Sequence, residues 1–459
     1  MRLLEWGLIF LSLLAIVAPK PKQSSRIQLW IGAILAMLLA HFLVDGARWQ
    51  MVPLYLVLAV AMAAPFLSLR LSRFIKRVDR SVAILLSLTS LLLGNLFPVV
   101  QFEPLAGTHD VGTIAYDIGD EVRNDPFTYA GELPRQLRMQ VWYPAHVTTE
   151  SLAVYSDDIH LGGMRWMSHM GLPPFLASHV PLINARAYTE PPVLGDEAPY
   201  PVLMFVGGLG GQRTQNSLLF EQLASEGYIV VAADHPFYSG YTLYPNNEMV
   251  ATYRPDMFNQ ASPEGNERLA NMVDVLVGDI DLILNTLNDL SAKPYSRFTD
   301  RINIEQIGLF GHSTGAAAAA QFCQIDLRCK AYLGLDPWLM PSSDELVTKG
   351  LPQPVMIIRG EDAITDSNKP RLLRLAHNSH DRHYQAILHN AQHLDFTDYR
   401  HFSPLLRWGG LVSGRAERHA EIVQAYTQAF FDHELRGWGG ALLFINSAEF
   451  PEAAITTHH

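Results

Sequence analysis

Long apolar runs crowd the first hundred residues; beyond them, short apolar runs alternate with helical stretches. Residues 27–44, 51–69 and 82–100 each approach the roughly 20 residues that a helix needs to cross a bilayer. The run 6–19 is shorter, has Glu5 at its edge and lacks a small-x-small cleavage site. It is read as a fourth, uncleaved span rather than an interfacial helix or a signal-peptide core. From about residue 105 the rhythm changes. "VGTIAYDI" (111–118) and "LRMQVWYP" (137–144) predict opening strands, rich in β-branched and aromatic residues. The runs 201–208, 227–236, 304–311, 330–336, 353–360 and 384–390 are nearly continuous in apolar residues, the pattern of strands buried on both faces.

Helical segments are predicted between them at 217–226, at 266–290 and from Gly315 onward. A last helix, 415–435, repeats apolar residues at Ile422, Tyr426, Ala429 and Phe430. Two leading strands followed by strand–helix alternation predict an α/β fold with a mainly parallel sheet, preceded by a helical transmembrane region. Residues 145–198 break the rhythm, and "MRWMSHMGLPPFLASHVPL" (164–182) is apolar but irregular. It is expected to form a lid or a pocket wall, with Trp166, Met167 and Phe175 as candidate substrate-binding residues; the alternative is a loop packed on the sheet edge.

Charge sharpens the division. Residues 1–101 hold ten Lys/Arg against three Asp/Glu, a net of +7, which leaves −18 of the overall −11 for the remainder. The expected organisation is a membrane anchor, 1–101, and an acidic catalytic domain, 102–459, for which nucleic acid is an unsuitable partner. Basic residues cluster at Lys20, Lys22 and Arg26 and again at Arg70, Arg73, Lys76, Arg77 and Arg80, whereas the second connection offers only Arg48 beside Asp45. The positive-inside rule then places everything after Val100 outside the cytoplasm, on the periplasmic side if the chain is bacterial. There the two cysteines, Cys323 and Cys329, are free to form a disulfide or to remain as buried thiols.

"GLFGHSTGAAAAAQF" (308–322) carries the chemistry. An apolar strand runs into G-H-S-T-G and a small-residue helix runs out, the context of a nucleophile elbow around Ser313. Acyl transfer also needs donors for an oxyanion: Thr314 N–H, after the serine, and Leu209 N–H in "FVGGLGGQRT" (205–214). The base belongs late in the chain; His393 in "LHNAQHLDF" leads, with His389 and His401 as fallbacks. His312 is read as a packing residue, and His377, His380 and His383 as a solvated face rather than a metal site. Two acids fit the order Ser, Asp, His equally well: Asp336 in "LGLDPW" and Asp362 in "IIRGEDA". Trp338, two residues beyond Asp336, joins the candidate pocket residues.

"LGLDPWLMPSSDELVTKGLPQPVMII" (333–358), "GHSTG" before it and "HNAQHLDFTD" (389–398) after it resemble the platelet-activating-factor acetylhydrolase family, and 201–235 is similar to that family's oxyanion segment. The likeness runs in ordered blocks over most of 105–437. It implies an α/β-hydrolase fold, a calcium-independent serine hydrolase without a cofactor, and short-acyl or phospholipid-like ester substrates. It also implies Ser313 as nucleophile, Asp336 rather than Asp362 as acid, His393 as base, and Leu209 and Thr314 as oxyanion donors. The chain departs from the family in having Gly207-Gly208 where a histidine usually precedes the oxyanion glycine, and in its multi-span start. The expected protein is a membrane-anchored serine ester hydrolase. The rival readings are a peptidase or acyltransferase on the same fold, and a non-catalytic receptor that keeps it.

Overall fold

All seven residues of the strand Tyr200–Val206 are buried, and its side chains divide between two layers. Val202, Met204 and Val206 face one core with Met272, Ile280 and Ala317–Ala320; Leu203 and Phe205 face another with Phe220, Phe430 and Phe431. Such alternation makes both faces of a strand apolar and places helices on each side of it. The computed structural model describes the chain apart from residues 18–23, 67–68, 128–132, 157, 253–262, 362–366, 381 and 459.

Among the described residues there are thirteen strands: β1 (Asp110–Asn124), β2 (Pro134–Ala145), β3 (Leu152–Val154), β4 (Asn184–Thr189), β5 (Tyr200–Val206), β6 (Ile229–Asp234), β7 (Tyr241–Leu243), β8 (Met249–Ala251), β9 (Ile302–His312), β10 (Cys329–Leu335), β11 (Val355–Gly360), β12 (His383–Leu388) and β13 (Ala453–His458). Eleven of them form one sheet in the order β13-β12-β11-β10-β9-β5-β6-β2-β1-β4-β3. From β6 to β12 all neighbours are parallel. The sheet is mixed at its flanks: β2 runs antiparallel to both β1 and β6, and β13 antiparallel to β12.

Helices α6 (Ser217–Ser225) and α12 (Ala416–Arg436) cover one face, and α7 (Pro263–Ala292) and α8 (Thr314–Ile325) the other. Ala316–Ala320 of α8 are fully buried, their small side chains letting this helix lie close on the sheet. Cys323 at its end is bonded to Cys329 at the start of β10, with Cα atoms 5.2 Å apart.

The first hundred residues hold α1 (Leu3–Val17), α2 (Ser24–Ala40), α3 (Val52–Ala63) and α4 (Leu69–Leu96). The helical stretch Ser25–Asp45 is long and apolar enough to cross a membrane, with most of its surface turned outward. The other expected spans are shorter as apolar helices: Leu3–Ile16, Trp49–Ala63 and Arg80–Leu96. Prolines follow two of them, where the ring removes an N–H and clashes with the preceding turn, and the basic residues 70–80 leave only the later part of α4 apolar. Pro65 lies just beyond α3 and Pro98 just beyond α4. A second correction concerns the basic segment 70–80, expected as a connection; its backbone is the start of α4. Near the opposite end of these helices Arg48 makes a bidentate pair with Glu5, both bonds 2.7 Å and both side chains fully buried.

The insertion between β2 and β5 touches these helices. Phe175 meets Trp49 edge-on at 5.0 Å, His179 meets Phe97 at 6.1 Å, and Val99 shares a small core with Tyr155 and Ile183. Farther along the chain, Ser403 Oγ donates to Leu96 O at 2.7 Å.

Two imidazoles, His179 buried and His401 partly buried beside Glu417, make stability depend on pH. Burial, with arginine charges nearby, pushes His179 down to about 4 and His401 to about 3 from an ordinary value of 6.5. Both are neutral in the folded chain, so on acidification the unfolded chain binds protons first. Their contribution is complete above about pH 6.5 and is lost as pH falls toward 4 and then 3. Denaturant midpoints should therefore hold steady from about pH 8 to 7 and decline below about 6.5. A flat profile down to about pH 4.5 would mean that neither ring is buried and neutral.

Candidate active site

β9 ends at His312, α8 begins at Thr314, and Ser313 between them has φ 56° and ψ −126°. This is a left-handed region that side chains other than glycine rarely enter, so surrounding bonds must hold it. Ser313 N–H donates to Leu335 O at 3.1 Å, and Trp338 N–H donates to Ser313 O at 3.0 Å. Gly315 permits the turn: a Cβ there would lie 2.1 Å from Gly207 O and 2.3 Å from Val206 O. Gly208 is needed for the same closeness from the other side, since its Cβ would meet His312 Nδ1 at 2.9 Å.

Asp336 follows the end of β10, the strand beside β9, and is almost fully buried. Its Oδ2 accepts from His393 Nδ1 at 2.6 Å, and its Oδ1 accepts from Gly360 N–H at 3.2 Å. A proton on Nδ1 leaves His393 Nε2 free to accept one. His393 itself opens a short 3-10 turn, His393–Phe396, after β12, and its side chain is 34% exposed. No hydrogen bond joins Ser313 Oγ to His393 among the described residues. Leu209 N–H reaches Thr314 Oγ1 at 3.0 Å, which brings the loop after β5 against the residue that follows the serine.

His312 packs, as expected, with its ring centroid 4.3 Å from that of His393. It also does what the sequence did not indicate. Gln215 Nε2 donates to His312 Nδ1 at 3.0 Å, so the ring proton sits on Nε2 and points to His393 O at 3.2 Å. Gln215 Oε1 in turn accepts Gly208 N–H at 3.1 Å. Burial, and the neighbouring His393, hold the His312 pKa well below the usual range, so the ring stays neutral.

Further bonds sew the segment after the oxyanion loop to the histidine loop. Asp398 N–H donates to Gln215 O at 2.9 Å, and Asn216 Nδ2 to Phe396 O at 2.7 Å. From the insertion, Tyr155 O–H donates to Thr214 O at 2.6 Å and meets Asp398 Oδ2 at 3.0 Å, and Asp158 takes a 2.7 Å bond from buried Arg213. None of Tyr155, Asp158, Arg213 or Gln215 carries a motif that would single it out.

The other histidine candidates have partners of their own. His389 pairs with Glu361 at 2.7 Å, and His401 is partly buried against Phe102. Asp362 lies outside the described residues. His377 and His380 are exposed and His383 is buried in β12; among the described residues no group of three or more His, Cys, Asp and Glu is arranged to hold a metal ion. Trp338 is buried. Trp166 and Met167 lie half-buried on α5 (Met164–His169), while Phe175 is half-exposed beside Trp49.

The sequence pattern described as "Platelet-activating factor acetylhydrolase, isoform II" matches residues 100–407. The chain belongs to this family. Platelet-activating factor acetylhydrolase of Bos taurus is 26% identical over 222 residues, covering 44% of this chain and 48% of that protein. The Gallus gallus protein of the same name is 23% identical over 228 residues, covering 44% and 53%. A probable 1-alkyl-2-acetylglycerophosphocholine esterase of Arthroderma benhamiae is 25% identical over 280 residues, covering 56% and 66%. The chain thus spans about half the length of the first relatives it matches. A solved ferulic acid esterase from Streptomyces cinnamoneus superposes with a TM-score of 0.64 at 23% identity, over 78% of this chain and 99% of that one. This likeness shows the α/β-hydrolase fold.

Gly315 gives this family member a sharp structural test. In an ordinary helix, alanine is better than glycine by about 1 kcal/mol. Here the methyl group would meet two backbone carbonyls that cannot turn aside, and overpacking of that kind costs about 1–3 kcal/mol. Gly315→Ala should therefore lower the melting temperature. A rise would mean that helix propensity outweighs the contact with Gly207 O.

Proposed function

We propose that this chain is a serine ester hydrolase acting on short-acyl or amphiphilic esters through an acyl-enzyme. The observation that carries the proposal is the 2.6 Å bond from His393 to buried Asp336 beside a serine held at φ 56°. Ser313 Oγ attacks the ester carbonyl while His393 Nε2 takes its proton, a contact that closes when substrate fills the site. Asp336 keeps the Nδ1–H tautomer and stabilises the imidazolium, and the tetrahedral oxygen rests on Leu209 and Thr314 N–H. His393 then gives its proton to the leaving alcohol, and water repeats the sequence to release the acid. Every step runs on side chains and backbone donors of this chain.

Family membership supports the ester class, and the names of the relatives point to acetyl esters of ether lipids. On a panel of p-nitrophenyl esters, turnover should rise from acetyl to about butyryl or hexanoyl and fall for longer acyl chains, each buried CH₂ adding about 0.8 kcal/mol until the pocket is full. Ser313→Ala should reduce it about 10⁶-fold and Asp336→Asn about 10⁴-fold, with Asp362→Asn close to wild type. A tenth of the activity surviving in Ser313→Ala would sink the serine assignment. A large loss in Asp362→Asn with Asp336→Asn active would move the acid.

The same reading places the hydrolase part outside the cytoplasm, held at a membrane by residues 1–101, with the insertion 145–198 between the bilayer surface and the site. Three observations support it: the outward-facing apolar helix Ser25–Asp45, the basic residues at 20–26 and 70–80, and the Cys323–Cys329 bond, which suits an oxidising compartment. Alkaline phosphatase fused after Val100 should be active in cells; activity of a cytoplasmic reporter at that point instead would invert the topology.

A further inference from the structure

The side chain of Thr314 stands where the backbone donors of the proposed site converge. Its Oγ1 accepts Leu209 N–H at 3.0 Å and lies 2.5 Å from the Tyr238 hydroxyl, which also donates to Gly207 O at 3.0 Å. Tyr238 is buried, and burial pushes its phenol well above the usual range, so it keeps its proton. Leu209 N–H is the donor that would turn to an oxyanion, and in this structure it donates to Thr314 Oγ1. A hydroxyl so placed shares the donor that the proposed mechanism assigns to the developing oxyanion.

We propose that the Thr314 hydroxyl is a third oxyanion donor, oriented by Tyr238; this rests on the reading of Leu209 and Thr314 as the backbone oxyanion pair. In this structure Tyr238 O–H points to Gly207 O and the Thr314 proton points to the tyrosine oxygen, while Oγ1 satisfies Leu209 N–H. As the carbonyl oxygen becomes an anion, Leu209 N–H turns to it. Tyr238 rotates its proton onto Thr314 Oγ1, and the threonine proton swings to the anion. Both hydroxyls keep their protons throughout; only the directions of three hydrogen bonds change. Thr314 is a catalytic residue in this scheme through its side chain as well as its N–H, and Tyr238 is a positioning residue. The bond to Thr314 Oγ1 also gives Leu209 N–H a partner within the chain, so this donor is not left bare.

The test uses the full chain in detergent with p-nitrophenyl butyrate. Thr314→Val keeps the shape and removes the hydroxyl; kcat should fall about 100-fold, as for loss of one oxyanion donor, with KM little changed. Thr314→Ser should recover most of that loss, and Tyr238→Phe should lose about tenfold, since only orientation is affected. An alkyl boronic acid, which forms a tetrahedral adduct on the serine, should bind Thr314→Val more weakly by a factor similar to the fall in kcat. A purely structural role would move the melting temperature and leave that factor near one. Wild-type kcat in Thr314→Val, or Thr314→Ser as slow as Thr314→Val, overturns the proposal. Ser313→Ala separates the two readings: if it stays active the serine mechanism fails, and if it is inactive while Thr314→Val is unimpaired, only the role of the hydroxyl fails.

Discussion

A serine backbone at φ 56° is the constraint around which the centre of this fold is arranged. Residues in such regions cost on the order of 1–3 kcal/mol and persist only where their surroundings over-determine them. Here Leu335 O and Trp338 N–H, from the end of β10 and the turn after it, grip the two sides of Ser313. The same turn delivers Asp336, so the bonds that hold the serine also fix the carboxylate. On the far side, the carbonyls of Val206 and Gly207 come so close to Gly315 that no side chain fits, and that contact brings the glycine loop within reach of Thr314.

The loops that meet the serine behave as one block. Gln215 bonds both Gly208 and His312, His312 points to the carbonyl of His393, Asp398 N–H donates to Gln215 O, and Phe396 O accepts from Asn216 Nδ2. Tyr155 and Asp158 tie the insertion into this block, while Phe175 and His179 tie it to the N-terminal helices. The insertion is thereby fastened at both ends, and a movement at the ends of the helices would reach Thr214 and Asp398 through few intermediates.

Much of the sheet was legible in the chain because β5, β6, β9, β10, β11 and β12 are buried on both faces and therefore read as unbroken apolar runs. β13, "AAITTH", pairs only on one side and is only partly buried, so nothing in its composition separated it from a loop. The short strands β3 and β4 were hidden for a similar reason inside the irregular insertion. In the site, Ser313 stood out through its glycines and flanking elements. Asp336 and Asp362 were not separable by periodicity, since both follow parallel strands; adjacency in space, not order along the chain, brings Asp336 to His393. Gln215 and Tyr238 were invisible because a lone polar side chain gains its meaning only from the partner folding gives it.

The buried pair of Glu5 and Arg48 changes what the charge of the first 101 residues means. Arg2 bonds Glu5 at 2.9 Å and lies 3.8 Å from Asp45, so two cations and two anions gather at one end of the helices and cancel. Along the sequence, the excess of +7 is then carried by the eight Lys/Arg at 20–26 and 70–80 against Asp79 alone. A tally along the chain counts ten cations alike; folding sets two of them apart by pairing them with carboxylates where the helices meet. Truncating Glu5 would leave Arg48 a buried charge without its carboxylate, so this one pair fastens the first turn of α1 to the segment that leads into α3.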